Sequence, residues 1–520
     1  MQFPIKKLTA TLLAGTLLLA GCSVSPTQTP AYTPTAATVT GGGELIFLQA
    51  NSPNSFDPHL QNDTASAQAN RSIYEGLTGF DNDGNLVGML AHSWEMITDT
   101  IWQFNLRQGV VFHDGTPFNA QAVKINFDRL LNPAAAHPGA FIIEMINHTE
   151  VIDDYTIHLH LDFPFSPLPA HLAAMVALII APSAIAEQDN GGVLVRDNPI
   201  GTAAFYVASF RDGEYTRFHA FDQHWRARPY VDSLLFQVVP DPNVRLMMVE
   251  AGEAHVSTAS ASDVPFIESS PTVNMLQVPG SNLTYIGFNT NVAPFDDVRV
   301  RQAISMAIEP QDFVHAVIEG QGVAATGPLA PLVFGSAQDL QGLGHDLDVA
   351  RELLAQAGFP DGFNATIHAS TPDQSRIAEL AQAQLQAIGV NLTIHMVEQG
   401  AFMELTDNGN HQLFVMGWTA FTGDADYGLW PLFHSNSHGA VGNRTFYANP
   451  VVDDLLQRAR SSSDQAYRAQ LYAQIQQILV NDAPMIWLYH PIATNAYHGI
   501  TGLVQYPNIV PQFYLAQLVS

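Results

Sequence analysis

WQFNLRQGVVFHDGTPF, residues 102–118, is the stretch that decides the fold. Apolar residues alternate at Trp102, Phe104 and Leu106, which predicts a strand with one buried face. Residues 110–112 predict a second strand, and the DGTP that follows has the composition of a tight turn. A helical pattern comes directly after it, so this part of the chain predicts a mixed α/β protein.

The same mixture of strand and helix patterns continues along the chain. At 520 residues, the chain exceeds the roughly 250–300 residues at which a single core stops growing, so at least two lobes are expected. Strands are predicted at residues 44–48, 102–106, 156–161, 234–239, 284–289, 391–397, 413–418 and 485–489. Helices are predicted at residues 120–131, 299–308, 349–357, 375–388, 451–459 and 465–480.

The N-terminus has the parts of a secretory signal. Residues 1–7 carry two lysines and no acid, a mostly apolar run follows, and LAGC at residues 19–22 resembles the bacterial lipobox. The lipobox cysteine becomes the lipidated first residue, and here it is Cys22, the single cysteine of the chain. We expect a lipoprotein signal peptide at 1–21 and a Ser/Thr/Pro-rich tether at 22–43. The protein would then be extracytoplasmic and lipid-anchored, at the periplasmic face or the outer cell surface.

The chain is strongly acidic, with a formal net charge of −28. Loss of residues 1–21 would remove Lys6 and Lys7 and no acid, leaving 18 basic against 48 acidic residues. Nucleic-acid binding requires clustered Lys and Arg, so this balance argues against it. It also argues against attachment to anionic lipid by charge, which leaves an acyl anchor for contact with the membrane.

Several segments together resemble one protein family. They are IYEGL at 73–77, AHSW at 91–94, the 102–118 stretch, NPIGTAAF at 198–205, GFNT at 287–290 and FDDVRVRQAI at 295–304. In this order they are similar to the family 5 bacterial extracellular solute-binding proteins, the peptide, nickel and glutathione receptors of ABC importers. The resemblance covers the chain from residue 44 to its C-terminus.

The resemblance implies a two-lobed periplasmic-binding-protein-like α/β fold of class II, cluster C, with an extra inserted domain. Lobe I would combine residues 44–82, 191–285 and 495–520, the inserted domain would span 83–190, and lobe II would span 286–494. The chain would cross between the lobes near 284–289 and 485–489, and these crossings would form a hinge. The implied partners are a peptide ligand and the permease and ATPase subunits of an importer, with the protein itself a monomer.

The segment GWTAFTGDADYGLW, residues 417–430, is the best candidate for a binding loop. It follows a predicted strand, and the clefts of α/β proteins usually lie at strand ends. We therefore predict that Trp418 and its neighbour Thr419 line a cleft and that Asp424 and Asp426 supply carboxylates to it. The resemblance implies that peptide receptors hold the ligand ammonium with an acid at the position of Phe421. The loop is similar instead to that of the glutathione and oligopeptide branch.

Three further residues are predicted to bind ligand. Arg444, in GNRTFY at 442–447, is the nearest cation for a ligand carboxylate, although a solvated loop arginine is an equal alternative. Tyr74 and Asn289 are chosen only from their places in family-like segments.

Other chemistries are less well supported. The sequence lacks a G-x-S-x-G elbow, a cysteine nucleophile near a histidine, a zincin helix and a phosphate-binding glycine loop, so we expect no enzyme and no cofactor. A secreted hydrolase using Asp424 and Asp426 is a distant alternative, since glycosidases place their carboxyls roughly 5–9.5 Å apart across a substrate bond. A nickel or metal-chelate receptor is the nearer alternative. The pairs His158/His160 and His434/His438 would serve it, but their spacing suggests no third ligand.

Overall fold

The computed structural model describes residues 39–60, 63–81, 84–135, 137–506 and 511–519. The predicted signal peptide, Cys22 and most of the predicted tether lie outside these residues. The last residues assigned to the tether lie inside, where Val39–Thr40 form a short strand that pairs with Gln517–Val519. Among the described residues, no helix combines the length and hydrophobicity needed to cross a membrane.

A twelve-stranded mixed sheet runs through the described part of the chain. In spatial order its main path is Asn391–Met396, Asn364–Ala369, Leu413–Thr419, Asn282–Phe288, Met485–Tyr497, Val256–Thr258, Glu44–Gln49, Ser233–Val238, Tyr215–Ala220 and Phe205–Arg211. Strands Asn274–Pro279 and Gly322–Ala324 also pair with Met485–Tyr497. We use lobe II for the part from Asn391–Met396 to Asn282–Phe288, and lobe I for the part from Val256–Thr258 to Phe205–Arg211.

The thirteen-residue strand Met485–Tyr497 joins the two lobes. Its first half pairs with Asn282–Phe288 in lobe II, and its second half pairs with Val256–Thr258 in lobe I. A second connection passes through Gly280 and Ser281, between strands Asn274–Pro279 and Asn282–Phe288. The predicted strands at these places are therefore present, but one of them continues for eight residues beyond its predicted end at 489 because it serves both lobes.

The opening stretch belongs to a separate four-stranded antiparallel sheet, which we call the inserted domain. Its strands lie in the order Ala91–Thr98, Ile101–Leu106, Thr156–Leu161 and Ile146–Asp153. The alternation in the sequence is confirmed, since Trp102, Phe104 and Leu106 are buried. The prediction of a strand at 110–112 is wrong, because only an isolated bridge between Val111 and Pro117 forms there around the DGTP turn.

Helices cover the sheets, and their predicted positions agree with the structure to within a few residues. The α-helices are Thr64–Ile73, Ala120–Leu130, Leu168–His171, Pro182–Asp189, Pro242–Glu250, Val264–Ser269, Val298–Ala307, Pro310–Ile318, Leu347–Gln356, Pro372–Leu385, Gln399–Asp407, Ala425–Phe433, Pro450–Ser461 and Gln465–Asp482. Helix Pro372–Leu385 packs on the edge strands of lobe II, while Pro450–Ser461 and Gln465–Asp482 pack on each other. Short strand pairs complete the described fold: Thr78–Phe80 with Leu86–Gly88, Ile500–Thr501 with Gln517–Val519, and Val504–Gln505 with Pro511–Gln512.

Candidate functional site

The predicted binding loop lies where lobe II meets the rest of the molecule. Strand Leu413–Thr419 ends beside the lobe connection, with Thr419 paired to Asn282. The backbone then turns through Gly423, at φ 65°, and helix Ala425–Phe433 begins. A Cβ at Gly423 would lie 3.0 Å from the ring of Phe80, on the first hairpin after lobe I begins. We call residues 418–426, from the end of the strand to the first turn of the helix, the cleft loop.

Asp424 is the N-cap of helix Ala425–Phe433. Its Oδ1 accepts a hydrogen bond from the backbone N–H of Asp426 at 2.9 Å, as capping carboxylates do. Both of its carboxylate oxygens also accept from Nη2 of Arg468, at 2.8 and 2.9 Å, and both residues are buried. Burial alone would lower the pKa of Arg468, but Asp424 beside it raises the pKa above the usual value. In this arrangement Arg468 already provides the counter-charge for the carboxylate of Asp424.

Asp426 makes a second buried ion pair. Its two oxygens accept from Nε and Nη2 of Arg460 at 3.0 and 2.9 Å, a bidentate geometry. Burial would raise the pKa of Asp426, but Arg460 holds it below the usual value. A carboxyl whose pKa is held low, as that of Asp426 is, does not supply the general acid that a glycosidase needs.

The Asp426 pair also touches the inserted domain. Nε2 of His171 lies 4.0 Å from Asp426, and the backbone N–H of Ser166 donates to the carbonyl oxygen of Arg460 at 2.7 Å. Burial lowers the pKa of His171, although Asp426 acts in the opposite direction. The beginning of helix Ala425–Phe433 therefore lies on a contact between lobe II and the inserted domain.

The first half of the cleft loop has more freedom. Phe421 is 45% exposed, the most of the eight predicted ligand-binding residues. Trp418 and Thr419 are half-buried, with the Trp418 indole donating to the carbonyl oxygen of Tyr427 at 3.0 Å. The Thr419 hydroxyl accepts from the Asn282 side chain at 2.9 Å. These three residues lie near the strand end, and their roles as ligand contacts stay predictions.

The other three predicted residues lie apart from the loop. Nη2 of Arg444 is 2.7 Å from Asp407, and the Asn289 side chain donates to carbonyl oxygens of the turn that follows Asp407. Tyr74 is buried in lobe I, where its hydroxyl donates to the carbonyl oxygen of Phe56 at 3.0 Å. Their roles as ligand contacts stay predictions.

Two adjacent spaces lie between the cleft loop and the rest of the molecule. A cavity of about 350 Å³ is lined from three sides: by Phe80 and Gly84–Leu86, by Trp94, Trp102, Ser166, Pro167, Pro169 and Ala170, and by Leu332, Phe334, Thr422–Asp424, Ser463, Gln465 and Arg468. A narrow gap of about 20 Å³ shares several of these residues and adds Ser281, Val333, Ala420 and Phe421. The larger space is in the size range of small-molecule sites.

Ser281 is the residue that sequence reasoning missed. It lies in the second lobe connection, between strands Asn274–Pro279 and Asn282–Phe288. The residue is only 6% exposed, and its Oγ has no hydrogen-bond partner within the described structure. A buried hydroxyl without a partner is costly, so its place beside Phe421 suits a polar group of a bound solute. No sequence signal marks it, because Gly-Ser-Asn also reads as an ordinary turn.

A larger cavity of about 470 Å³ lies against Arg71, Glu75, Arg226, Tyr506 and Tyr514 among others. Its lining includes the predicted contact Tyr74, and it shares only Phe80 with the two spaces at the cleft loop. None of its lining residues belongs to lobe II. A solute bound there would therefore not be held between the lobes. The smaller space at the cleft loop is the better candidate for a site whose solute would be held between the lobes.

The metal alternative finds no support near this loop. The His434 ring accepts from the backbone of Asn436, and His438 faces the carbonyl oxygen of Tyr447, so the two rings serve separate local contacts. His158 and His160 lie in the inserted domain.

Comparisons with known proteins agree with this architecture. A family model described as bacterial extracellular solute-binding proteins, family 5, matches residues 85–440. The glutathione-binding protein GsiB of Pectobacterium atrosepticum is 32% identical over 501 residues, which cover 93% of this chain and 96% of that protein. HbpA2 from Haemophilus parasuis has a similar structure, with a TM-score of 0.85 and 28% identity over 92% of this chain and 100% of that chain. The periplasmic binding protein DppA from Helicobacter pylori, in complex with the peptide STSA, gives a TM-score of 0.76 at 28% identity over 92% and 99%.

Proposed function

Because this chain belongs to the family 5 bacterial extracellular solute-binding proteins, we propose that it is the receptor of an ABC importer that captures peptides by lobe closure. The ligand class follows from relatives named for glutathione and solved with a tetrapeptide. Capture requires no covalent chemistry. The receptor would be a monomer, anchored outside the cytoplasmic membrane through Cys22, and would deliver its ligand to a permease driven by an ATPase.

The observation that carries the proposal is the composition of the narrow gap. It combines the exposed ring of Phe421 with the unpartnered hydroxyl of Ser281, and Phe80 closes it from the other side. An aromatic face and a hydroxyl suit one part of an extended peptide, whose apolar side chains and backbone amides need contacts of both kinds. The adjacent cavity of about 350 Å³ supplies the volume that the gap of about 20 Å³ lacks.

We assign different roles to the two halves of the cleft loop. Trp418, Thr419 and Phe421 would contact solute, since they lie at the strand end with side chains that are at least partly exposed. Asp424 and Asp426 would hold the loop in shape through Arg468 and Arg460. This is a different role from the direct ligand contact predicted from the sequence, because a carboxylate already paired with an arginine has little charge to offer an ammonium group.

The site is polar enough for a peptide but does not select a particular one. The side chains that line the gap carry no charge, so the ligand ammonium and carboxylates would be met elsewhere in the closed cleft. We therefore propose oligopeptides, including glutathione-like ones, as the ligand class.

Mass spectrometry of the mildly purified protein tests the proposal most directly, because a peptide bound during expression would be released on denaturation. Refolded, ligand-free protein should then gain stability with that peptide, by about 2.7 kcal/mol at a ligand concentration 100 times the Kd. A glycoside serves as the comparison ligand. Stabilisation by the glycoside with no response to peptide mixtures or glutathione would contradict the proposed ligand class.

A further inference from the structure

The inserted domain carries three histidines and a glutamate, side chains of the types that bind metals, on one face of its sheet. Strands Ile146–Asp153 and Thr156–Leu161 are antiparallel neighbours in which His148 pairs with His160 and Glu150 with His158. Residues two apart on a strand point to the same face, and cross-strand partners point to the same side. The four side chains therefore form a two-by-two array. Ile157 and Leu159, on either side of His158, are buried in the core.

The atoms that would coordinate a metal are close together. Oε2 of Glu150 lies 2.9 Å from Nε2 of His160 and 3.8 Å from Nδ1 of His158. Within the described chain, these three residues form the single His/Cys/Asp/Glu group whose ligand atoms all lie within 4.8 Å of one another. Ligand atoms about 2.0–2.2 Å from a tetrahedral Zn²⁺ are roughly 3.5 Å apart, so small side-chain rotations would suffice. The His148 ring, 5.3 Å from that of His160, is near enough to provide a fourth ligand.

One histidine is held in place by a chain of hydrogen bonds. Nε2 of His158 lies 3.1 Å from Oε1 of Gln103, whose Nε2 donates to Asn105, and Asn105 in turn donates to the Ser93 hydroxyl. The Gln103 amide therefore presents its oxygen to His158, which places the imidazole proton on Nε2. Nδ1 is left with its lone pair on the side of Glu150. Metal-binding histidines commonly use one ring nitrogen for such an orienting contact.

We propose that Glu150, His158 and His160, with His148 as the fourth ligand, bind one divalent transition-metal ion such as Zn²⁺ or Ni²⁺. Imidazole and carboxylate ligands suit these ions, and the exposed Glu150 leaves the site open to solvent. The bound ion would join the two strands on either side of their tight turn. The site belongs to the inserted domain and is separate from the gap at Phe421, so it does not depend on the proposed peptide function.

Calorimetric titration of the full chain, without a histidine tag and after treatment with chelator, tests this site with Zn²⁺ and Ni²⁺. Wild-type protein should bind one ion per chain, and His158→Ala and His160→Ala should each weaken binding at least about tenfold. Gln103→Leu should weaken it less, because this residue only positions His158. His345→Ala is a matched control, since His345 also lies beside an acid, 3.5 Å from Glu309, but outside the array.

Two results would overturn the proposal. One is the absence of saturable binding by the wild type. The other is equal affinity in wild type, His158→Ala and His160→Ala, which would place any bound ion elsewhere. The melting-temperature response to peptide should survive in His160→Ala, so failure of the metal site can be distinguished from failure of the peptide proposal.

Discussion

The two halves of the cleft loop differ in how their side chains are used. Phe421 is largely exposed, whereas Asp424 and Asp426, three and five residues later, are buried against arginines. The backbone of the second half is also fixed, because Phe334 accepts from the N–H of Ala425 and donates to the carbonyl oxygen of Gly423. A contact surface at the end of a strand needs such a rigid support if it is to keep its geometry.

The largest expected effect is at the rigid end. Asp424→Ala leaves the guanidinium of Arg468 buried without its counter-charge, and removing one partner of a buried pair typically costs about 3–5 kcal/mol. Denaturant unfolding should show this loss. Asp348→Ala is the matched control, because Asp348 pairs with Arg351 at 2.8 Å on the surface and should change the unfolding curve little. Equal stability of wild type and Asp424→Ala would mean that this pair does not hold the loop.

Asp426→Ala should have a smaller effect on stability. Arg460 remains packed over the Trp430 ring, 3.5 Å from its centroid, so the loss should be nearer the roughly 1.5–3 kcal/mol of a charged hydrogen bond. Peptide affinity should fall as well, because this pair contacts the inserted domain. Unfolding curves and peptide titration of the same sample separate the two effects. A loss of stability as large as that of Asp424→Ala would remove the distinction between the two pairs.

The exposed half should behave in the opposite way. Phe421→Ala should weaken peptide binding by about 1–2 kcal/mol, a factor of roughly 5 to 30, and leave the unfolding curve unchanged. Phe266→Ala provides the control, since Phe266 is exposed to a similar extent, 40%, on a lobe I helix away from the gap. Full peptide affinity in Phe421→Ala would contradict the contact role of this residue.

Sequence patterns predicted the local structure well because strand and helix periods are local. The strand at 413–418, for example, differs from the observed strand by a single residue. The partners of the aspartates were not predictable in this way. Arg460 and Arg468 lie 34 and 44 residues further along the chain, and only the packing of two later helices brings them to the loop.

The same limit applies to the other sites. Sequence spacing alone does not reveal Glu150 as a neighbour of His158 and His160, because cross-strand register depends on the pairing of Ile146–Asp153 with Thr156–Leu161. Ser281 has an unpartnered hydroxyl only because the lobe connection buries it. Long-range packing, rather than local pattern, creates each of these features.

The smallest effect concerns the pH dependence of closure at the Asp426 contact. Burial lowers the pKa of His171 where it lies between lobe II and the inserted domain, although Asp426 acts to raise it, and Arg460 lowers it further. If opening exposes His171 to water, its pKa returns towards about 6.5. The open form then takes up a proton as the pH falls below that value, while the closed form resists it, so acid favours opening.

Peptide affinity at pH 5.5 should accordingly be weaker than at pH 7.5, by at most about tenfold. His171→Phe should remove this difference in peptide titrations at the two pH values. Tighter binding by the wild type at pH 5.5 would instead mean that protonated His171 pairs with Asp426 in the closed form.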